Sequence, residues 1–125
     1  HGDRIILLDT AAGSVVTLPA AAGTGVVIKC IISAIATSNS HKIQVANGSD
    51  TIKGAVIIAD QDTAGTVTAF VTASDSDTIT LNRSTSGSVT VGEWIELVDI
   101  AANVWAVSGV LTNTGSGATP FSAAV

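Results

Sequence analysis

From Val26 to Ile35 the even positions are Val26, Ile28, Cys30, Ile32 and Ala34, all apolar. The odd positions mix Val27, Lys29, Ile31, Ser33 and Ile35. Side chains on a strand alternate between the two faces of a sheet, so this window predicts a strand whose even face belongs to the core. Its odd face is too apolar for water alone.

The same alternation, punctuated by turn residues, recurs along the chain. Ile5–Leu8 predicts a short apolar strand, and Ser14–Leu18 a second, ended by Pro19, which has no N–H to give a ladder. Lys42–Val45 follows, then Asn47-Gly48, both tolerant of positive φ and so a strong turn signal. Ile52 and Ala55–Ala59 continue the sheet, with Gly54 read as a bulge. Asp60–Gly65 predicts a turn, Thr66–Thr72 a strand, and Thr78–Asn82 another with Ile79 and Leu81 inward. Arg83–Ser88 is a polar loop. Glu93–Ile100 and Val104–Leu111 predict a hairpin around Ala101–Asn103. Ile95 and Leu97 lie on one of its faces; Trp94, Val98 and Ile100 lie on the other. Strands apolar on both faces occur where a second layer or another subunit covers them. Thr112–Thr119 is a loose polar segment, and Pro120–Val125 is apolar again.

No segment sustains a helical period. Roughly nine or ten short strands at regular spacing predict an all-β fold, either a β-sandwich or a jelly-roll-like barrel. At 125 residues the chain reads as one domain, 1–125.

Composition agrees with this reading. Valine and isoleucine far outnumber leucine, threonine is abundant, and there is no methionine or tyrosine. β-branched side chains suit a pleated surface. Charged residues make up only 12% of the chain, about half the usual share of roughly 25%. The surface must therefore be built from Ser, Thr, Ala, Asn and Gly, which keeps neighbouring molecules apart poorly. This points to a subunit of an assembly. The net charge is −5, and Arg4, Lys29, Lys42, Lys53 and Arg83 are scattered. Nucleic-acid binding needs clustered cations, so none is expected. No apolar run approaches the roughly 20 residues of a membrane span, so no membrane partner is expected. No signal peptide is visible, and a start at His1 in place of Met reads as a processed or fragmentary chain.

Candidate chemistry is thin. Cys30, the single cysteine, lies among isoleucines and reads as a small buried hydrophobe. Asp75-Ser76-Asp77 precedes a strand, and "SDTI" occurs at both Ser49–Ile52 and Ser76–Ile79. An aspartate before a strand reads as turn chemistry, capping local N–H groups. A calcium site would need Asp60, Asp62, Asp75 and Asp77 to converge, and an EF-hand's later ligands are missing. His41 reads as an exposed loop residue, and Glu93 and Glu96 fall on opposite faces of one strand. No nucleophile, base and orienter come together, so no enzyme and no cofactor are expected. Trp94 and Trp105 are expected across the hairpin from one another, in core or subunit packing.

The stretches "TLPAAAGTG", "SNSHKIQVANGSDTIKG", "DTAGTVTAF", "SDSDTITLN" and "GEWIELVDIAANVWAVSGVL" resemble a group of small tailed-phage virion proteins. These are head decoration, or cement, proteins of marine phages and cyanophages, and the likeness runs over Thr17–Val125. It implies a β-rich homotrimer seated on the outer surface of the capsid, tying major capsid protein subunits together, with no catalytic residues. Similar segments suit a receptor-recognition domain of a phage fibre or tail protein, which is the alternative expectation. The apolar N-terminal segment 1–8, with Asp3, Arg4, Ile5 and Ile6, is expected to reach the capsid or a neighbouring subunit.

Overall fold

A computed structural model describes residues 3–125. It is an all-β structure of ten strands in two mixed sheets, with no helix among the described residues. The strands are β1 (Arg4–Leu8), β2 (Val15–Thr17), β3 (Val27–Ile32), β4 (His41–Gln44), β5 (Thr51–Asp60), β6 (Val67–Val71), β7 (Thr78–Leu81), β8 (Trp94–Ala101), β9 (Val104–Asn113) and β10 (Phe121–Ser122). Each expected strand is present, most of them trimmed or extended by a few residues. The apolar tail adds the short β10.

The larger sheet has six strands in the order β1-β3-β8-β9-β5-β6, and the smaller has four, β10-β7-β4-β2. Three neighbouring pairs run parallel: β1 with β3, β2 with β4, and β5 with β9. A jelly roll is antiparallel throughout, so of the two expected architectures the sandwich describes this chain.

Alternation fills the space between the sheets. In the small sheet, Val16, Ile43, Ile79 and Phe121 form one inward row across all four strands. From the large sheet Ile28, Cys30, Ile32, Ile95, Leu97, Trp105 and Leu111 meet them in one core cluster. Burying each Ile or Leu contributes about 1.5–3 kcal/mol, so the core alone accounts for the pairing of the sheets.

Two glycines set the close contacts. Gly54 does not add a bulge: Lys53 pairs with Ala106 and Ile57 with Val110 at one unbroken offset. Instead Gly54 takes φ +140°, and a Cβ there would collide with the Val107 carbonyl. Gly109 leaves room for the neighbouring Ile95 side chain, whose Cδ1 would lie 2.8 Å from an added Cβ. The one register shift falls in β8, between Asp99 and Ala101, at the hairpin turn. Asn103 there adopts φ 65°, a region its short polar side chain tolerates.

Candidate functional site

The two outer faces of the sandwich differ in chemistry. On the small sheet the outward row is Val15, Lys42 and Thr80, which suits water. On the large sheet the register aligns Leu7, Ile31, Trp94, Val110, Ile57 and Ala69 in one row across all six strands. Every member is apolar. Leu7 is 55% exposed, Ile57 47% and Val110 38%. At about 4.8 Å per strand spacing the row is about 24 Å long. The next row carries Ile5, Lys29, Glu96 and Ser108, its lysine and glutamate directly opposite one another. Lys29 also lays its ammonium over the Trp94 ring, 4.7 Å from the centroid, in a cation–π contact.

The tryptophans are therefore not partners, contrary to expectation. In a hairpin, partners lie at equal distances from the turn, and Trp94 stands seven residues before Ala101 whereas Trp105 stands two after Asn103. Trp94 pairs with Val110 and faces out; Trp105 pairs with Asp99 and faces the core at 1% exposure. Of the two, only Trp94 lies on the outer face of the sheet.

The N-terminal residues sit at one margin of this face. Residues 1 and 2 of the expected contact segment lie outside the described residues. Asp3 accepts a hydrogen bond from the Val27 N–H at 3.0 Å, and Arg4–Leu8 forms edge strand β1. Ile5 points outward and is exposed; Ile6 points inward and packs against the core. Arg4 shares the inward side with Ile6.

Between the edge strands β1 and β2 the sandwich gapes. The gap is a cavity of about 540 Å³ lined by Ile6, Val16, Val26, Ile28 and Trp105, with Arg4 on its wall. Asp99 also reaches it, but the carboxylate is occupied. It accepts hydrogen bonds from the N–H groups of Ala22, Gly23 and Thr24 and from the Thr24 hydroxyl. Desolvation works to raise its pKa, but these four bonds outweigh it and hold the carboxyl below the ordinary aspartate value. A carboxylate favoured in the folded state contributes stability that is full above the unfolded pKa and is lost as pH falls through the folded one. Urea unfolding midpoints should therefore drop as pH descends below about 4. The Asp99→Asn variant should show a shallower acid limb over that window; an identical limb would remove Asp99 from the account.

Of the aspartates expected as caps before strands, Asp75 is exposed, while Asp77 and Asp50 are tethers of longer reach than turn caps. Asp77 is buried and accepts from the N–H groups of Ala124 and Val125 as well as from the Thr78 hydroxyl, pinning the C-terminal tail. Asp50, its counterpart in the repeated "SDTI", accepts from the Ala21 N–H at 2.9 Å. Asp60 does make a local turn bond, to the Asp62 N–H, and Asp62 accepts from the Gly115 N–H. Asp60, Asp62, Asp75 and Asp77 are not brought together: among the described residues no group of three or more His, Cys, Asp or Glu could hold a metal ion.

His41 is a second correction. It is fully buried, not an exposed loop residue. Its Nδ1 accepts from the Ser14 N–H at 3.0 Å, which leaves Nε2 to donate to the Ala34 carbonyl at 2.8 Å. A ring with both nitrogens satisfied can be buried, and here it ties three segments together. Glu93, also missed, is buried and accepts from the N–H groups of Ser88, Val89 and Thr90 and from the Thr112 hydroxyl.

Cys30 lies in the core as expected, and burial pushes its thiol up to about 11. It should stay unreactive toward Ellman's reagent at pH 8 in the folded protein and react at once in guanidinium. Rapid native labelling would show that this part of the core opens.

Comparison with protein-family models, with curated proteins and with solved structures found no match. The surfaces described above therefore carry the functional argument by themselves.

Proposed function

We propose that this chain is a virion structural protein, a decoration or cement protein that binds the outside of a tailed-phage head as a trimer and stabilises the shell. The observation that supports this reading most is the apolar row on the outer face of the large sheet. Six exposed or half-exposed apolar positions in register, spanning the outer face of the large sheet from edge to edge, are what a subunit contact uses.

Charge supports it further. Asp50, Asp77, Glu93 and Asp99 are buried on backbone donors, which leaves six acids to face five lysines and arginines at the surface. The buried carboxylates keep their charge, so the net −5 still acts between copies, screened over about 8 Å at physiological salt, while few charged groups need be desolvated where copies meet. The Lys29–Glu96 pair beside the row gives each copy both signs of charge at the margin of the contact. In this reading symmetry-related copies cover the row, and the assembled trimer engages the major capsid protein. Binding only the assembled shell stabilises it by linkage, and three weak contacts per trimer add through avidity.

The test joins sedimentation equilibrium to a pelleting assay with emptied phage heads. The full chain should sediment as a trimer and co-pellet with heads. Ile57→Lys with Leu7→Lys, both at exposed positions, should give a folded monomer with head binding weakened about tenfold or more. A folded wild-type monomer that ignores heads would end the proposal. Density at the tail tip of virions, with none on the head, would favour receptor recognition in its place.

A further inference from the structure

The cavity between β1 and β2 carries a second inference, independent of shell binding. Its two walls are sheet edges. β1 ends the six-stranded order and β2 ends the four-stranded order. Each therefore pairs on one side only, with β3 and β4 respectively. On the other side their alternate N–H and C=O groups meet no strand among the described residues. Edge strands usually carry protection in the form of a lysine, a proline or a bulge. β1 is short and begins with the inward-side Arg4, but Ile5-Ile6-Leu7-Leu8 carries no lysine, proline or bulge, and its register with β3 is unbroken.

The floor of the cleft is apolar, formed by Val26, Ile28 and Trp105, with Ile6 and Val16 half-buried on its two sides. The volume, about 540 Å³, is that of a side-chain or small-ligand pocket. Of the two charged groups at the cleft, Asp99 is saturated by four donors. Arg4 is exposed, on the inward side of β1 at the strand's beginning. A guanidinium in that position presents a fork that matches a carboxylate.

We infer that this cleft receives an extended peptide segment of another protein. The segment adds as a strand to the free edge of β1, turns alternate apolar side chains into the cavity, and sets an acidic residue against Arg4. A strand uses the β1 edge and the pocket together: edge hydrogen bonds supply affinity and the pocket reads alternate side chains. A lipid tail would fill the apolar volume but leave both sets of edge groups without a partner.

The experiment pans a random dodecapeptide library against the full chain. A counter-screen uses Ala20→Trp, an exposed loop position on the cavity wall where an indole blocks the cleft without entering the core. Circular dichroism verifies that the variant is folded. Enriched peptides should alternate apolar residues and carry a carboxylate, and Ala20→Trp should weaken them about tenfold or more. Arg4→Glu should remove the preference for the carboxylate while retaining the alternation. Binding should also slow hydrogen exchange at the amides of Arg4–Leu8. Enrichment indifferent to Ala20→Trp would overturn the inference. So would a library without enrichment, including the case in which dodecanoate binds and Ala20→Trp blocks it, which would make the cleft an apolar-acid pocket.

Discussion

Trp105→Ala should cost about 3–5 kcal/mol of folding stability, the largest loss expected from any single truncation in this core. Trp105 points inward from β9 and is almost fully excluded from water. Its Nε1–H donates to the Pro19 carbonyl at 3.2 Å, so it joins the large sheet to the chain leaving β2. Truncation removes the bulkiest fully buried side chain and leaves that carbonyl without its donor. A domain of this size has about 5–15 kcal/mol in total, so the variant should sit near the threshold of folding. The measurement is a urea titration, in which the midpoint should fall with little change in slope. Trp105→Phe keeps much of the volume and loses the hydrogen bond, and should cost about 1–2 kcal/mol. A loss under about 1 kcal/mol for the alanine variant would mean that the sheets do not close over this ring.

Glu93→Ala should be nearly as severe, at about 3–5 kcal/mol, for a different reason. The carboxylate gathers three consecutive backbone N–H groups, those of Ser88, Val89 and Thr90, and the Thr112 hydroxyl. Together they fold the connection from β7 into β8 onto the end of β9. Alanine leaves three backbone donors without their acceptor, that of Ser88 buried and those of Val89 and Thr90 half-buried, while the Thr112 hydroxyl keeps Thr90 Oγ1 as a partner. Orphaned donors cost about 1–3 kcal/mol each when water cannot reach them. Local opening of the loop limits the total. Glu93→Gln keeps the shape but turns one acceptor into a donor, so about half the loss is expected. Hydrogen exchange reads the mechanism directly: the amides of residues 88–90 should lose protection before the core strands do. Unchanged protection in the alanine variant would show that the loop holds by other contacts.

Both residues act inside the sandwich, whereas the proposed contacts lie on its outside. The separation has a practical use. Substitutions at Leu7 and Ile57 lie on the outer face and should leave the stability of the monomer, compared at a protein concentration where the wild type is also dissociated, within about 0.5 kcal/mol of wild type. Changes at Trp105 and Glu93 should lower stability whether or not copies associate. Assembly and folding can thus be disturbed one at a time.

Much of this molecule was legible in the order of its residues. The alternation in Val26–Ile35 marked the even face of β3 as core, and Ile28, Cys30 and Ile32 are buried there. Ile79 and Leu81 face inward as their spacing required, and the Glu93–Leu111 region forms the expected hairpin. Period-two patterning is a local property, set by the pleat of one strand, so one strand's sequence suffices to show it. The scarcity of charge was legible too.

The tertiary structure decided what lies beside what. Strand order, the three parallel pairs and the register that lines up Leu7, Ile31, Trp94, Val110, Ile57 and Ala69 all join residues distant in the chain. One residue of slip would have turned each strand's set to the other face. The opposite facing of Trp94 and Trp105, by contrast, follows from the hairpin itself, since they lie at unequal distances from the Ala101–Asn103 turn. The burial of His41, Asp50, Asp77, Glu93 and Asp99 was invisible in the sequence, because a polar side chain is buried only where distant backbone groups satisfy it. The cleft between β1 and β2 exists because the two sheets end on those strands, a fact of topology that neither strand's own residues contain.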